Sequence, residues 1–444
     1  MPAKPLSKKL RPLQLIVIVF FTVSGGPYGL ESLISYAGSH ATLLLLLLTP
    51  IFWDVPAILT VAELNSMMPI EGGYYQWVKN ALGMRLGFYE GWWTWLYTFI
   101  DLAIYPVMFI QYATFFFPWM VTYQVPVCLV FVWLSALINI LGIVQVGRAS
   151  IILSVAVLGP FVILLIAALI HHSLSTHMPA PSVNHLKFPA FAMALYTVMW
   201  NCLGWDNATT YAGEVEKPVR SYLISVFSAF ALVIVIYFVV ILIAQQSGIN
   251  PKVLSDNRFP ALGELIGGHW LGALIAIGGM ASAMGIYTAV LLSVSRIPKV
   301  MADDKLLPKA LTKLHPKYNT PYLSIIICSL VVSLMILWSF DELLIIDVTV
   351  YGAGLFLEYA TLIVMRIKHP NTRRPFKIPL GVGGLLVFLV LPTAVYFVAM
   401  AGAFNSTEQA IKPAIFALLA LSTAELFWQL INLNRRLALK NNNL

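Results

Sequence analysis

Residues 24–31 read Ser-Gly-Gly-Pro-Tyr-Gly-Leu-Glu, inside an otherwise apolar run that extends from residue 13 to residue 36. Three glycines and a proline within six residues cannot continue a regular helix, because proline lacks the amide donor and glycine favours irregular backbone. At membrane depth, such backbone is tolerated only where it lines a cavity or is buried in protein. The stretch therefore predicts a membrane helix that is broken in its middle.

The composition of the chain is that of a membrane protein. Hydrophobic residues make up 59% of its 444 residues and charged residues only 10%, whereas soluble proteins carry about 25% charge. A span needs roughly 20 apolar residues. We predict an all-α membrane protein with about twelve spans, near residues 13–36, 41–66, 86–117, 124–143, 149–171, 188–212, 222–246, 268–302, 321–339, 342–368, 382–403 and 409–433.

The basic residues predict the orientation of these spans. Lysine and arginine are enriched in cytoplasmic loops. Of the 27 in the chain, 23 fall on the side of the two termini and four on the other side. We therefore predict an integral protein of the inner or plasma membrane with both termini in the cytoplasm. The basic residues lie scattered between apolar runs, so nucleic acid is not expected as a partner.

A second, weaker interruption occurs in the sixth span, at residues 201–207, Asn-Cys-Leu-Gly-Trp-Asp-Asn. Paired breaks at corresponding positions of two halves indicate a transporter site at the interface of two repeats. Two unrelated kinks are the alternative interpretation. Polar side chains cluster at both breaks, which favours the site.

Acidic residues inside the spans indicate what such a site holds. Each acid costs about 2.5–3.5 kcal/mol at the bilayer centre unless it faces protein or water. Few basic residues lie within the spans, so the excess of acids indicates a cationic guest or a proton. We expect Asp54, Asp347 and Glu425 to be protonated, hydrogen-bonded to backbone or near an interface. The complete set is Glu31, Asp54, Glu90, Asp101, Asp206, Asp347, Glu358 and Glu425.

Glu31 is the most informative of these acids. It lies in the first turn of the half-helix that begins near Pro27, where the positive end of the helix receives a substrate carboxylate in other transporters. An acid at this position suits a substrate with amines and no carboxylate; simple helix capping is the alternative. Asp206, just beyond the second break, would hold another ammonium group.

Aromatic side chains near the breaks are candidates for the walls of the site, because aromatic faces stack on alkyl-ammonium groups. Packing and interfacial belts are their commoner roles in membranes. We select Tyr28, Tyr105, Trp200 and Trp205. No Walker motif, HExxH motif or nucleophile elbow is found, and the three cysteines have no zinc spacing, so neither an enzyme nor a metal site is predicted.

Several motifs resemble the amino acid–polyamine–organocation superfamily, and most closely its branch of plant-type polyamine uptake and L-type amino-acid transporters. The likeness covers residues 13 to about 400. The motifs that carry it are residues 24–31, Glu71-Gly72-Gly73-Tyr74, Glu90 to Trp95, Asp101, Tyr105-Pro106, Trp205-Asp206, Ala212 to Val215, Leu357-Glu358 and Arg373 to Phe376.

The resemblance implies a LeuT-type fold and alternating access around a site between spans 1, 3, 6, 8 and 10. It implies a first repeat, an inverted second repeat and a peripheral pair of spans at residues 13–171, 188–368 and 382–433. Matching positions give Gly25, Gly26, Glu31, Asp101 and Asp206. Together with the residues chosen above, the candidate substrate-binding set is Ser24, Gly25, Gly26, Tyr28, Gly29, Glu31, Asp101, Tyr105, Trp200, Trp205 and Asp206.

The substrate stays open at this level. Plant members carry additional acids in span 8, where this chain has residues 285–290, Gly-Ile-Tyr-Thr-Ala-Val. Their loss weakens the case for a polyamine and leaves an amino acid, cationic or neutral, as a serious competitor. Span 5 lacks the lysine that replaces a sodium ion in some relatives, which leaves H+ or Na+ as the coupling ion. No cofactor is expected, and the oligomeric state is not predicted. A neutral amino-acid exchanger and a non-transporting receptor are the remaining alternatives.

Overall fold

The first half of the chain folds into seven helices with an interruption where the sequence predicts it. The computed structural model describes residues 12–170, 186–215, 218–338, 340–404 and 408–441. Helix α1 ends before the Ser-Gly-Gly-Pro stretch, and α2 resumes beyond it. In chain order the helices are α1 (Pro12–Val23), α2 (Leu33–Phe52), α3 (Asp54–Met67), α4 (Gly73–Leu82), α5 (Met84–Ala113), α6 (Gln124–Ile140) and α7 (Ile143–Ile170).

The second half contains nine helices within the described ranges, and its first span is interrupted in the same manner. A short 3-10 helix, Asn207–Glu214, follows the break after α8. The helices are α8 (Phe188–Trp200), α9 (Pro218–Gln246), α10 (Pro251–Gly267), α11 (His269–Val294), α12 (Arg296–Asp303), α13 (Tyr322–Met335), α14 (Phe340–Lys368), α15 (Val382–Phe404) and α16 (Glu408–Asn441).

The predicted all-helical membrane architecture is confirmed. Eight helical segments are long and apolar enough to cross a bilayer, and four shorter apolar helices complete twelve candidate spans. The short ones include α1 and α8, which are the first halves of the two broken spans. The division into repeats at 13–171 and 188–368, with 382–433 outside, stays a prediction.

Three helices differ from the sequence-based parsing. Helices α4 and α10 occupy segments that were expected to be loops, and α12 is separated from α11 by Ser295 instead of continuing the eighth span. Each connects spans and does not cross the membrane by itself. The segment α2 is divided at Gly38, whose non-helical φ of 65° separates the end of the first span from the start of the second.

Helices α5, α11 and α14 form the centre of the bundle. In the most apolar windows of α5 and of the α11–α12 segment 78% of residues are buried, against 17% for α16. Helix α5 packs against both α14 and α11, and α11 packs against α7. The acids Glu90, Asp101, Asp347 and Glu358 of α5 and α14 are accordingly buried in protein.

Candidate functional site

The first break is stabilised by its own side chains. Gly25, Gly26 and Gly29 have positive φ values of 61°, 106° and 96°, a region that other residues rarely adopt. The amide of Gly26 donates to Ser24 Oγ at 3.0 Å, and the amide of Gly25 donates to the Phe20 carbonyl at 3.0 Å. The sequence therefore forms a defined turn of irregular backbone between α1 and α2.

The same break is joined to the second break through one tyrosine. The Tyr237 hydroxyl of α9 lies 2.7 Å from both Ser24 Oγ and the Asn201 carbonyl oxygen. Gly29 also packs close to Trp200, because a Cβ at this glycine would lie 2.6 Å from the Trp200 ring. The two interruptions thus meet at the centre of the protein, as their five-span separation predicts.

Glu31 is fully buried, and its carboxylate is hydrogen-bonded within the protein. Its carboxylate accepts the Gly29 amide at 2.7 Å and the Tyr112 hydroxyl, and Arg258 Nη1 lies 3.9 Å away. Arg258 belongs to α10, where it has a positive φ of 62°. The geometry is that of a carboxylate which closes the start of a half-helix and connects it to α5 and α10.

The second break places an acid beside a tyrosine of α14. Gly204, with a φ of 90°, donates its amide to the Tyr351 hydroxyl at 3.3 Å. That hydroxyl donates to Asp206 Oδ1 at 3.0 Å. A side chain at Gly204 would collide with the Thr22 carbonyl, because its Cβ would lie 2.9 Å from that oxygen. Glycine here lets the broken sixth span approach α1.

Asp101 of α5 and Asp347 of α14 form an acidic pair, called here the Asp pair. The Tyr105 hydroxyl donates to Asp101 Oδ1 at 2.5 Å, and the Tyr105 ring stacks against Trp200 with centroids 6.3 Å apart. Asp347 interacts electrostatically with Asp101, and both of its carboxylate oxygens are buried without a hydrogen-bond partner. The pair lies at the start of the second break, because Trp200 is the last residue of α8.

Glu90 of α5 and Glu358 of α14 form a second acidic pair, called here the Glu pair. Glu90 and Glu358 are 2% and 1% exposed, and each has one carboxylate oxygen without a hydrogen-bond partner. Both interact electrostatically with Asp206, which follows the second break. Within the described residues, no lysine or arginine forms an ion pair with either acidic pair or with Asp206.

The predicted site residues fall into separate neighbourhoods. Asp101, Tyr105 and Trp200 come together at the Asp pair, and Asp206 lies near the Glu pair. Ser24 and the three glycines form the first break, with Glu31 on its far end.

Two of the aromatic side chains predicted to line the site, Tyr28 and Trp205, form hydrogen bonds outside it. Tyr28 donates to the Ile275 carbonyl at 3.0 Å and packs on Tyr112 with ring centroids 5.0 Å apart. Trp205 Nε1 donates to Asp54 Oδ1 at 3.2 Å. Both side chains are 1% exposed, so they contribute packing around the breaks.

The three outlying acids have different surroundings. Asp347 is 1% exposed, has no hydrogen-bond partner and interacts electrostatically with Asp101, so its protonation stays a prediction. Glu425 pairs with Arg85 at 2.7 Å on the outside of the bundle. Asp347 and Glu358 belong to the predicted set of acids within the spans, but they were not selected for the site. The signal that it missed is their spacing of 11 residues on one helix, which Glu90 and Asp101 share.

Comparison with known proteins gives a family for this chain. A sequence profile described as amino acid permease matches residues 11–421. Polyamine transporter RMV1 of Arabidopsis thaliana is 32% identical over 90% of this chain and 82% of its own length. Polyamine transporter PUT1 of Oryza sativa subsp. japonica is 32% identical over 90% of this chain and 75% of its own. The serine/threonine exchanger SteT of Bacillus subtilis is 22% identical over 84% of this chain and 87% of its own.

The profile covers nearly all of the broken-helix architecture described above, and it includes both breaks and both acidic pairs. The chain therefore belongs to the amino acid permease family, within the amino acid–polyamine–organocation superfamily.

Proposed function

We propose that this protein is a secondary transporter that carries polyamines across the inner or plasma membrane by alternating access. The single observation that carries the proposal is the Asp pair. Asp347 is buried, faces Asp101 and has no hydrogen-bond partner on either carboxylate oxygen. Buried carboxylates of this kind are costly unless a proton or another cation compensates them. An ammonium group supplies both the charge and the missing donors.

The backbone of the first break supports a substrate without a carboxylate. The amides of Gly25, Gly26, Gly29 and Leu30 already donate to acceptors of this break or of α1. Gly29, in particular, donates to Glu31, which occupies the position where the half-helix would attract an anion. A substrate carboxylate would have to displace these acceptors.

The relatives point to the same substrate class. Two proteins named polyamine transporters share 32% identity with this chain over 90% of its length. Their names describe those proteins, and the buried acids provide the independent reason to extend the substrate class to this one. The coupling ion, H+ or Na+, and the cytoplasmic location of both termini remain part of the proposal.

A neutral amino-acid exchanger is the second candidate. The serine/threonine exchanger from Bacillus subtilis covers 84% of this chain. Ser282 of α11 is also buried with an unpartnered hydroxyl, and its Oγ would lie 3.0 Å from a Cβ at Gly25. This hydroxyl is the one described donor near the first break that an amino-acid substrate would find free.

Thermal stabilisation of the purified protein by a ligand panel separates the two candidates. A ligand that binds only the native state raises the apparent stability with its occupancy. The panel is putrescine, spermidine, arginine, lysine, leucine and alanine. Stabilisation by the amines supports the proposed function, whereas stabilisation by leucine or alanine alone contradicts it. Accumulation of the binding ligand in proteoliposomes excludes a receptor that binds without transport.

The variant Asp347→Asn tests the observation that carries the proposal. Loss of one charge-assisted contact costs about 1.5–3 kcal/mol, so amine affinity should fall about 10- to 100-fold. The matched control is Glu425→Gln, whose carboxylate lies outside the bundle and pairs with Arg85. Equal amine affinity in Asp347→Asn and the parent protein, both folded, would contradict an ammonium site at the Asp pair.

A further inference from the structure

The two acidic pairs have the same spacing on two helices. On α5, Glu90 precedes Asp101 by 11 residues, and on α14 Asp347 precedes Glu358 by 11 residues. Eleven residues make about three helical turns, so the two acids of each helix lie on one face about 16 Å apart along the axis. Because each acid interacts with its counterpart on the other helix, α5 and α14 present two acidic levels.

Glu90 of the Glu pair borders a cavity of about 10 Å³. A cavity of this size holds about one water-sized group. Its lining contains two acids, Glu90 and Asp206, and Glu90 Oε2 is buried there without a partner. A primary ammonium group has the size of a water molecule and supplies three donors. The cavity therefore fits the charged end of an amine and has no room for a bulkier cation.

Aromatic rings separate the two levels. Tyr97 of α5 and Tyr351 of α14 pack edge to face with centroids 5.2 Å apart, and both line the cavity. The Tyr97 hydroxyl donates to Asn207 Oδ1 at 3.0 Å, while the Tyr351 hydroxyl is bound to Asp206. Their hydroxyls are thus engaged at the second break, and their rings are the aromatic walls of the cavity that an alkyl chain and its ammonium group would contact.

The distance between the levels matches a long polyamine. An extended chain of single bonds of about 1.5 Å advances about 1.25 Å per bond, so the terminal nitrogens are about 6 Å apart in putrescine, about 11 Å in spermidine and about 16 Å in spermine. The separation of about 16 Å between the Asp pair and the Glu pair equals the span of the tetramine. Putrescine reaches one level only.

We propose that the Glu pair is a second ammonium site, which receives the far end of a long polyamine whose other end is bound by the Asp pair. The inference rests on the proposed function and extends it, because it makes the protein selective for chain length. Affinity for spermine, which reaches both levels, should exceed the affinities for putrescine and spermidine, which reach one level only.

The test is the affinity of the full-length purified protein for the three amines, measured by calorimetric titration. In Glu90→Gln and in Glu358→Gln, spermine affinity should fall about 10- to 100-fold because one charge-assisted contact is lost. Putrescine affinity should stay within about 2-fold, since putrescine needs only the Asp pair. Both substitutions remove an unpaired buried charge and keep the shape, so folding should be preserved.

A second variant blocks the cavity without removing any charge. A Cβ at Gly354 of α14 would lie 3.2 Å from Glu90 Oε1, so Gly354→Ala narrows the cavity. Alanine also favours the helix over glycine by about 1 kcal/mol, so the variant should fold. It should reproduce the loss of spermine affinity with putrescine binding retained. Glu425→Gln, outside the bundle, is the control for loss of an acid and should leave all three affinities unchanged.

Two results would overturn the inference alone, and a third would overturn the proposed function as well. An equal loss for all three amines in the variants would make the Glu pair a structural or proton-binding group. Unchanged spermine affinity would remove any role in binding. In both cases the parent protein still binds amines, so the proposed function stands. If the parent binds amino acids and none of the amines, the proposed function fails together with the inference.

Discussion

At the scale of single residues, two acids that are equally buried differ in what surrounds them. Glu31 and Asp347 are 0% and 1% exposed. Glu31 has an amide, a hydroxyl and a guanidinium as neighbours, whereas Asp347 has another acid. These neighbours favour a structural role for Glu31 and a cation site at Asp347, while the substrate-binding role of Glu31 stays a prediction. From the sequence alone, Glu31 was selected as a substrate-binding residue and Asp347 was not.

This difference predicts the behaviour of Glu31→Ala. Removing the carboxylate leaves the Gly29 amide and the Tyr112 hydroxyl buried without their acceptor, at about 1–3 kcal/mol each. The thermal unfolding midpoint should fall clearly, while the amine affinity of the remaining folded protein should change by less than about 3-fold, well below one charge-assisted contact. Calorimetric unfolding and titration of the same sample measure both quantities.

Tyr112→Phe is the matched control for this prediction. It removes one of the partners of Glu31 and keeps the carboxylate and the ring, so it should destabilise the protein less than Glu31→Ala. An amine affinity that falls more than about 10-fold in Glu31→Ala, with an unchanged unfolding midpoint, would return Glu31 to the substrate site.

At the scale of elements, the breaks and the central helices carry the site, and ion pairs fix other helices around them. Glu63 of α3 binds Arg366 of α14 through two contacts of 2.5 and 2.6 Å. Arg374 Nε lies 3.3 Å from the same carboxylate, and the Ile378 amide donates to it at 2.9 Å. This buried cluster attaches α3 and the segment after α14 to α14, the helix that carries Asp347 and Glu358.

The cluster predicts a large effect of Glu63→Gln on stability. Breaking a buried pair costs about 3–5 kcal/mol because the partner charge is left uncompensated. The thermal unfolding midpoint should therefore drop strongly. Glu425→Gln breaks the exposed pair with Arg85 and should have a small effect, since solvent screens such pairs. Similar midpoints for the two variants would show that the Glu63 cluster does not hold α3 to α14.

At the scale of the whole molecule, the charge of the transported substrate predicts how transport responds to the membrane voltage. Each positive charge that moves inward gains about 2.3 kcal/mol per 100 mV. A doubly charged amine at about 100 mV therefore supports roughly a thousandfold accumulation without another driving ion. A neutral amino acid gains nothing from voltage alone.

Proteoliposomes with an imposed potassium diffusion potential measure this response. Putrescine uptake should increase when the interior is made negative and should return to equilibration when the potential is collapsed. Leucine tested in the same vesicles is the control for a voltage effect on the membrane itself. Putrescine uptake that does not depend on the potential would mean that a compensating cation moves outward in exchange, and net inward movement of charge with the amine would be rejected.

The sequence by itself determined the membrane class, the twelve spans, the two breaks, the family resemblance and the surplus of acids. These follow from composition, from the length of the apolar runs and from the local chemistry of glycine and proline. None of these depends on contacts between distant residues. Helix α4 and helix α10 were missed because neither is an apolar run of membrane length.

Only the tertiary structure decided which acids face each other and which are neutralised. Asp101 interacts electrostatically with Asp347, and Glu90 with Glu358, because α5 packs against α14. These two helices are far apart in the chain. Glu31 is satisfied by Tyr112 and by Arg258, which come from two other helices. The electrostatic energy of a buried acid depends on neighbours within a few ångströms, and the packing of helices, not the order of residues, supplies those neighbours.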